Sequence, residues 1–182
     1  MTSSEYLKTE RAAEYKSEFR AGEMLPMSGA SRPHNLIVAS LVRLLMEAVS
    51  DRPYEVYASS MRVKVTTSFY TYPDVVVTCE KPEFEDDVLD TLLNPTVLIE
   101  VLSESTESYD RGRKSGHYRQ LASLQEYLIV SQNEPRVEHY ARQGGDHWLL
   151  SDAAGPEGRI ELASLGATIR LADVYARIGF SA

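Results

Sequence analysis

The chain has 182 residues, of which 43% are apolar and 25% are charged, which is enough for one medium-sized domain with its own core. Nineteen basic and twenty-seven acidic residues give a net charge of −8. This charge excludes a broadly basic surface for nonspecific binding of nucleic acid, although it leaves room for a local basic groove. A single cysteine excludes an internal disulfide and a zinc site built from several cysteines.

The distribution of apolar residues bears on the location of the protein. The first ten residues lack the apolar core of a signal peptide. The most apolar stretch, 36–49, is interrupted by Ser40, Arg43 and Glu47 and is too short to cross a bilayer. We therefore expect a cytoplasmic protein that makes no contact with a membrane.

The first third of the chain predicts a helix, a hairpin and a second helix. Residues 4–14 form a polar helix, and residues that alternate around Ala21 and Gly22 predict a hairpin. Pro33 suits the first turn of a helix that extends to about residue 50. Apart from one thin polar stripe this helix is apolar, so most of its circumference is buried. Its large apolar face leaves room for a subunit contact, and we expect a homodimer.

The rest of the chain predicts strands interleaved with helices. Strands are expected at 54–57, 61–66, 73–78, 96–103, 127–130, 136–142 and 159–162, helices at 107–124 and 171–178, a hairpin around Gly144 and Gly145, and an acidic surface segment at 80–94. This order predicts an α/β fold, with a mixed β-sheet flanked by helices. We expect a single domain over 1–182, with an N-terminal helix and hairpin at about 4–30, a core at about 31–142, and a C-terminal hairpin and helix at about 143–182.

Two acidic residues interrupt apolar strands. Asp74 lies in the β-branched run 72–77, and Glu100 lies in the apolar run 97–102. A carboxylate in a buried strand costs several kcal/mol unless it is paired, protonated or bound to a metal. Mg²⁺ prefers one or two carboxylates together with water and phosphate oxygens. The pair therefore suggests a Mg²⁺ site for phosphodiester hydrolysis, and the alternative is that each acid is solvated or paired with a basic residue.

A lysine further along the sequence than the second acid is a third candidate. On a helix, Arg111, Lys114, Tyr118 and Leu121 would share one face. A lysine that reaches the two carboxylates could orient the attacking water and offset phosphate charge. The alternative is a solvated helix lysine.

These features resemble the PD-(D/E)XK nuclease superfamily and, within it, the bacterial family of restriction endonucleases called Uma-two. The matching segments are 15–23, 27–31, 34–35, 72–79, 99–103, 105–106, 110–112 and 124–130, together with Lys114 and Tyr118. The resemblance runs from about residue 10 to 175. It implies a restriction-endonuclease-like core and Mg²⁺-dependent cleavage of DNA, with Mn²⁺ as a substitute for Mg²⁺.

The resemblance assigns roles residue by residue. Asp74 and Glu100 match the two acids of the motif and would hold the metal. In the superfamily a lysine often stands two residues after the second acid, where this chain has Leu102. Lys114 is the matching position in this family and completes the expected catalytic set. Some superfamily members add an acid from the N-terminal part, and Glu18 is our choice as a third metal ligand.

Several further residues have more than one interpretation. Glu23 and Glu47 are alternatives to Glu18, and His34 caps or packs the helix rather than acting as a base. Ser103 and Tyr118 position the loop and the water, or only hold the helix on the sheet. Arg111, Arg113 and Arg119 form a local basic patch for DNA, or a solvated face. Because a fold does not fix a function, the alternatives to a nuclease are a catalytically inactive binding or regulatory module and a hydrolase other than a nuclease that uses the same acids.

Overall fold

The structure is a computed structural model that describes residues 1–103 and 110–180. Its helices are α1 (Ser3–Ala12), α2 (Arg32–Ala48), α3 (Ser115–Tyr118) and α4 (Leu171–Val174), with a π-helical turn at Asp110–Lys114 and a 3₁₀ turn at Ala163–Leu165. Positions 105–106 of the family resemblance and the expected helix start at 107–109 lie outside the described residues.

Thirteen strands are present in the described residues. They are β1 (Ser17–Arg20), β2 (Glu23–Pro26), β3 (Glu55–Ala58), β4 (Arg62–Thr66), β5 (Phe69–Thr71), β6 (Val75–Thr78), β7 (Thr91–Leu92), β8 (Val97–Val101), β9 (Glu126–Val130), β10 (Arg136–Gly144), β11 (His147–Ala154), β12 (Arg159–Leu162) and β13 (Ala167–Arg170). A six-stranded sheet has the order β11-β10-β9-β8-β6-β3, and a five-stranded sheet has the order β2-β1-β5-β4-β7. β8 and β9 pair in parallel, as do β4 and β7, so both sheets are mixed.

Helix α2 covers one face of the six-stranded sheet. Ser31 caps it by accepting a hydrogen bond of 3.2 Å from the backbone N–H of His34, and Pro33 lies in its first turn. Its apolar positions Ile37, Val38, Leu41 and Leu45 are buried against the sheet. The apolar face that suggested a subunit contact is therefore largely occupied by the protein's own core.

The two faces of β8 contact different parts of the core. Val97, Ile99 and Val101 belong to the cluster around α2, whereas Leu98 and Leu102 belong to a second cluster on the opposite face. Side chains alternate along a strand, so Glu100 projects with Leu98 and Leu102. The chain thus directs a carboxylate to an otherwise apolar face of its central sheet.

The helix predicted at 107–124 is much shorter in the structure. A π-helical turn leads into α3, which ends at Tyr118, and three-residue turns follow. The guanidinium of Arg142 donates hydrogen bonds to the backbone carbonyls of Leu121 (2.8 Å) and Leu124 (2.7 Å). A helix that ended at residue 124 would leave these two carbonyls without an internal partner, and Arg142 satisfies them in the turns that are present instead. The prediction of a regular helix to residue 124 was therefore wrong.

Other element predictions need smaller corrections. The segment 80–94, expected to lie on the surface, contributes β7, whose two residues are buried in the five-stranded sheet. The helix expected at 171–178 ends at Val174. Strands β5 and β13 were not predicted, and both are only three or four residues long. Both predicted hairpins, around Ala21 and Gly22 and around Gly144 and Gly145, are present.

Candidate active site

Asp74 lies directly before β6 and opposite Glu100. In the antiparallel register of β6 and β8, Val75 pairs with Ile99, and continuing that register by one residue sets Asp74 opposite Glu100. Oδ2 of Asp74 accepts a hydrogen bond of 2.8 Å from the backbone N–H of Val101. Its second carboxylate oxygen, Oδ1, accepts no hydrogen bond from the described residues.

His34 holds the same carboxylate from the other side. Its ring nitrogen Nε2 is 3.1 Å from Oδ2 of Asp74, and the two side chains are only 12% and 16% exposed. The opposite ring nitrogen, Nδ1, is buried and has no hydrogen-bond partner within the described residues. The first turn of α2 therefore fixes the orientation of Asp74. His34 was expected to cap or pack the helix, but the cap is Ser31, and His34 contacts the acid.

Lys114 joins Glu100 to Glu18. Its ammonium Nζ is 2.9 Å from Oε1 of Glu100 and 3.1 Å from Oε1 of Glu18. The three side chains are 6%, 6% and 12% exposed, so these contacts are well shielded from water. We refer to Glu18, Glu100 and Lys114 as the acid–lysine cluster.

Two hydroxyl groups also donate hydrogen bonds to this cluster. Tyr118 donates a bond of 2.6 Å to Oε1 of Glu100, and Thr71 donates to Oε1 of Glu18. Burial holds the pKa of Tyr118 well above its ordinary value, and the neighbouring Glu100 raises it further. The Tyr118 hydroxyl consequently stays protonated and acts as a donor at neutral pH.

The route by which Lys114 reaches the acids differs from the superfamily pattern. Leu102, two residues after Glu100, is 4% exposed and packs in the core. Lys114 instead ends the π-helical turn, where its side chain is directed to Glu100. The structure thus brings together Glu100 and Lys114, which the sequence analysis paired, although the connecting element is not the regular helix that was expected.

Asp74 and the acid–lysine cluster face one cavity of about 500 Å³. Four carboxylates line it, from Glu14, Glu18, Asp74 and Glu100, and two ammonium groups, from Lys16 and Lys114. With His34 neutral, the formal charge of this lining is −2. The cavity is therefore electronegative, and a phosphodiester would enter it against repulsion unless a cation were present.

The donor set fits a hard divalent cation of the kind that the family implies. Asp74 and Glu100 provide oxygen ligands on one cavity, and Mg²⁺ commonly binds one or two carboxylates and keeps several waters. Within the described residues, no group of three or more His, Cys, Asp or Glu side chains is arranged to hold a metal.

The other sequence candidates lie elsewhere or have other contacts. Glu23 is exposed on β2, and Glu47 forms an exposed ion pair with Arg43. Of the three acids considered for the N-terminal position, the structure brings Glu18 to the cavity. Arg111 forms an ion pair with Glu138, and Ser103 lines the cavity.

Some residues of this region were not assigned a role from the sequence. Thr71 carried no signal, because β5 was not predicted. Tyr15 and Lys16 belong to a segment that matches the family, yet nothing in their spacing pointed to a cavity. The remaining arginines of the predicted DNA patch, Arg113 and Arg119, are exposed on the surface.

Comparison with solved structures defines the class of fold. The protein superposes on the crystal structure of "a putative nuclease belonging to DUF820" from Anabaena variabilis with a TM-score of 0.78 and 19% identity, covering 97% of this chain and 98% of that one. The predicted fold class, α/β with a restriction-endonuclease-like core and mixed sheets flanked by helices, is confirmed. No helix in the described part of the chain is long and apolar enough to cross a membrane.

The chain belongs to the Uma2 family, described as "Putative restriction endonuclease", whose family model matches residues 3–172. The resemblance to this family inferred from the sequence is thereby confirmed. Two Synechocystis proteins are similar to it. The uncharacterized protein sll1609 is 43% identical over 164 residues, which is 90% of this chain and 93% of that protein, and the uncharacterized protein slr1290 is 32% identical over 181 residues, 99% and 94% respectively.

Proposed function

We propose that this protein is a metal-dependent endonuclease that hydrolyses phosphodiester bonds of DNA. The observation that carries the proposal is a buried lysine in contact with Glu100, on the same cavity as Asp74. Family membership and the nuclease name of the structural neighbour support it. Asp74 and Glu100 would hold Mg²⁺ or Mn²⁺, with Glu18 as a further ligand or as the partner of the lysine.

Each residue has a physical task in this proposal. The Asp74 carboxylate is held by His34 and by the Val101 N–H, so it is preorganised and loses little freedom when it binds an ion. A divalent cation bound there makes water a better nucleophile near neutral pH and offsets phosphate charge. Lys114 orients that water or stabilises the extra negative charge on the phosphate.

The charge of the cavity supports a requirement for metal. A lining with a formal charge of −2 would repel a phosphate group, and one divalent cation would neutralise it. We therefore expect DNA to enter the cavity far more readily with Mg²⁺ than with EDTA. Lys114 already neutralises part of the acid–lysine cluster, which keeps the cation requirement to a single ion.

The test is nicking of supercoiled plasmid in Mg²⁺, in Mn²⁺ and in EDTA. Asp74→Asn, Glu100→Gln and Lys114→Met should each lower the rate at least about 100-fold, the loss typical for a group that stabilises a transition state. Glu47→Gln and Lys8→Met remove exposed charges away from the cavity and serve as matched controls. Nicking that persists in the three site variants would come from a contaminant and would refute the assignment.

The alternative is a nuclease fold that binds or regulates without cleavage. The contact of Lys114 with Glu100 favours it to the extent that the lysine, rather than a metal, balances the buried acid. Tight DNA binding with no cleavage in either metal would support this alternative. Metal-dependent nicking that is lost in Asp74→Asn would exclude it.

Contacts with DNA outside the cavity belong to the same proposal. Arg111, Arg113 and Arg119 would form the local basic patch, although Arg111 also pairs with Glu138. Neutralising all three should weaken binding and reduce its salt dependence, since each phosphate contact contributes to the slope of affinity against salt. Unchanged binding would remove the patch from the proposal.

We also propose a cytoplasmic homodimer, which would carry two copies of the site. Sedimentation equilibrium would measure its association state. A monomer at micromolar concentration would contradict the dimer without affecting the proposed chemistry.

A further inference from the structure

An aromatic side chain stands exposed at the mouth of the catalytic cavity. Tyr15 lies between α1 and β1, lines the cavity and is 78% exposed. Met27, which also lines the cavity, is 38% exposed. Within the described residues Tyr15 is the one Phe, Trp or Tyr side chain in the exposed class.

Charged side chains contribute little to the binding of a nucleic acid at the mouth of this cavity. The lining of the cavity is electronegative, and the chain carries a net charge of −8. The ammonium of Lys16 donates hydrogen bonds to the backbone oxygen of Ser59 (3.0 Å) and to the hydroxyl of Ser60 (2.8 Å). Attraction for a nucleic acid must therefore come in part from contacts that do not depend on charge, and stacking on an aromatic ring is such a contact.

The state of the DNA determines whether Tyr15 can make this contact. In a duplex both faces of each internal base are covered by neighbouring bases, so a protein ring can stack only on a base that is unpaired or displaced. A cavity of about 500 Å³ has the capacity of a pocket for a small ligand. That volume is sufficient for one nucleotide of a strand.

We propose that Tyr15 stacks on an unpaired base next to the phosphate in the cavity, so that the substrate is single-stranded DNA or an unpaired segment within a duplex. The cleavage of that strand rests on the function proposed above, whereas the binding preference does not. Met27 extends the apolar surface on which the base lies. Tyr15 is accordingly a residue that determines substrate specificity and takes no part in the bond-breaking step.

The experiment measures binding by fluorescence anisotropy, with a labelled single-stranded oligonucleotide and its duplex, in Ca²⁺ and in EDTA. Tyr15→Ala should lower affinity for the single strand by about five-fold or more, the loss typical for one stacked base, and change duplex affinity less than about two-fold. Tyr15→Phe keeps the ring and should retain the affinity. Leu149→Ala, at an exposed apolar residue of β11 away from the cavity, is the matched control.

Salt dependence separates stacking from charge. Tyr15→Ala should leave the slope of affinity against salt unchanged, since no phosphate contact is lost. Equal losses for single strand and duplex, or no loss for the single strand, would overturn the inference. Because Tyr15 is exposed, its substitution should not alter the unfolding midpoint, and this comparison verifies that the variant is folded.

The two proposals can fail separately. If the protein cleaves no DNA, yet its binding of single strands depends on Tyr15, the nuclease proposal fails and the binding preference stands. If it nicks plasmid in Mg²⁺ and Tyr15→Ala binds and cuts single strands like the unaltered protein, the nuclease proposal stands and this inference fails.

Discussion

Replacement of Lys114 by methionine tests the acid–lysine cluster as a unit. Lys114→Met keeps the length of the side chain but removes the charge that lies 2.9 Å from Glu100 and 3.1 Å from Glu18. Both carboxylates then remain near each other in a shielded site. Tyr118 and Thr71 still donate their hydroxyl hydrogen bonds, but these carry no charge to balance the acids.

The expected loss of stability follows from the burial of the three groups. Removing one partner of a buried ion pair costs about 3–5 kcal/mol, and each side chain here is at most 12% exposed. For a protein of this length, 1 kcal/mol corresponds to about 2–4 °C in melting temperature. We therefore expect the midpoint to fall by roughly 6–20 °C in EDTA. Lys8→Met, at an exposed lysine, should change stability by less than about 0.5 kcal/mol.

Urea unfolding, followed by the fluorescence of Trp148, measures the effect with and without Mg²⁺. Trp148 is the single tryptophan and packs beside Arg142, away from the cavity. Mg²⁺ at about 100 times its dissociation constant for the variant should restore about 2.7 kcal/mol. At the same Mg²⁺ concentration the unaltered protein should gain less, because its lysine competes with the ion for Glu100. A variant as stable as the unaltered protein in EDTA, or equal gains from Mg²⁺, would refute the reasoning.

Three further predictions concern single contacts. Tyr118→Phe should cost about 1.5–3 kcal/mol in urea unfolding, since it removes only the hydroxyl bonded to Glu100; an unchanged midpoint would contradict this bond. Burial alone would raise the pKa of Glu126, but hydrogen bonds from His139 and Ser164 bring it below its ordinary value of 4.5. The resulting stabilisation is present above about pH 4.5 and is lost as the pH falls through the lowered pKa, so Glu126→Gln should be destabilising at pH 7 and nearly neutral in strong acid; a constant difference across that range would count against the linkage. Leu41→Ala should cost about 2–5 kcal/mol in thermal unfolding because Leu41 of α2 is fully buried against the six-stranded sheet, and a cost below about 1 kcal/mol would show that the site can collapse.

The periodicity of apolar residues was sufficient to predict much of the fold. The apolar spacing in α2 predicted both the helix and its buried side, since a helix of this length presents several full turns to the sheet. The run 127–130 was predicted as a buried strand and is fully buried in β9. The turns that follow α3 could not be predicted, because two of their carbonyls are bonded by Arg142, 21 and 18 residues further along the chain.

The acids of the site could be identified from the sequence because they interrupt apolar strands. Asp74 and Glu100 stand where burial of a charge needs compensation. The compensation itself was only partly predictable. Lys114 was named from the family pattern, but the contact of His34 with Asp74 joins residues forty positions apart, and periodicity gives no information about such pairs. Tyr15 had no signal beyond its place in a segment that matches the family resemblance, since its exposure is a property of the folded chain.

The central claim, that Asp74 and Glu100 share one divalent cation, is tested most directly by anomalous diffraction from a crystal soaked in Mn²⁺. The account predicts one strong peak in the cavity, about 2 Å from an oxygen of each carboxylate, with Lys114 beside it. A cavity without a peak at saturating Mn²⁺, or a peak bound by only one of the two acids, would contradict it.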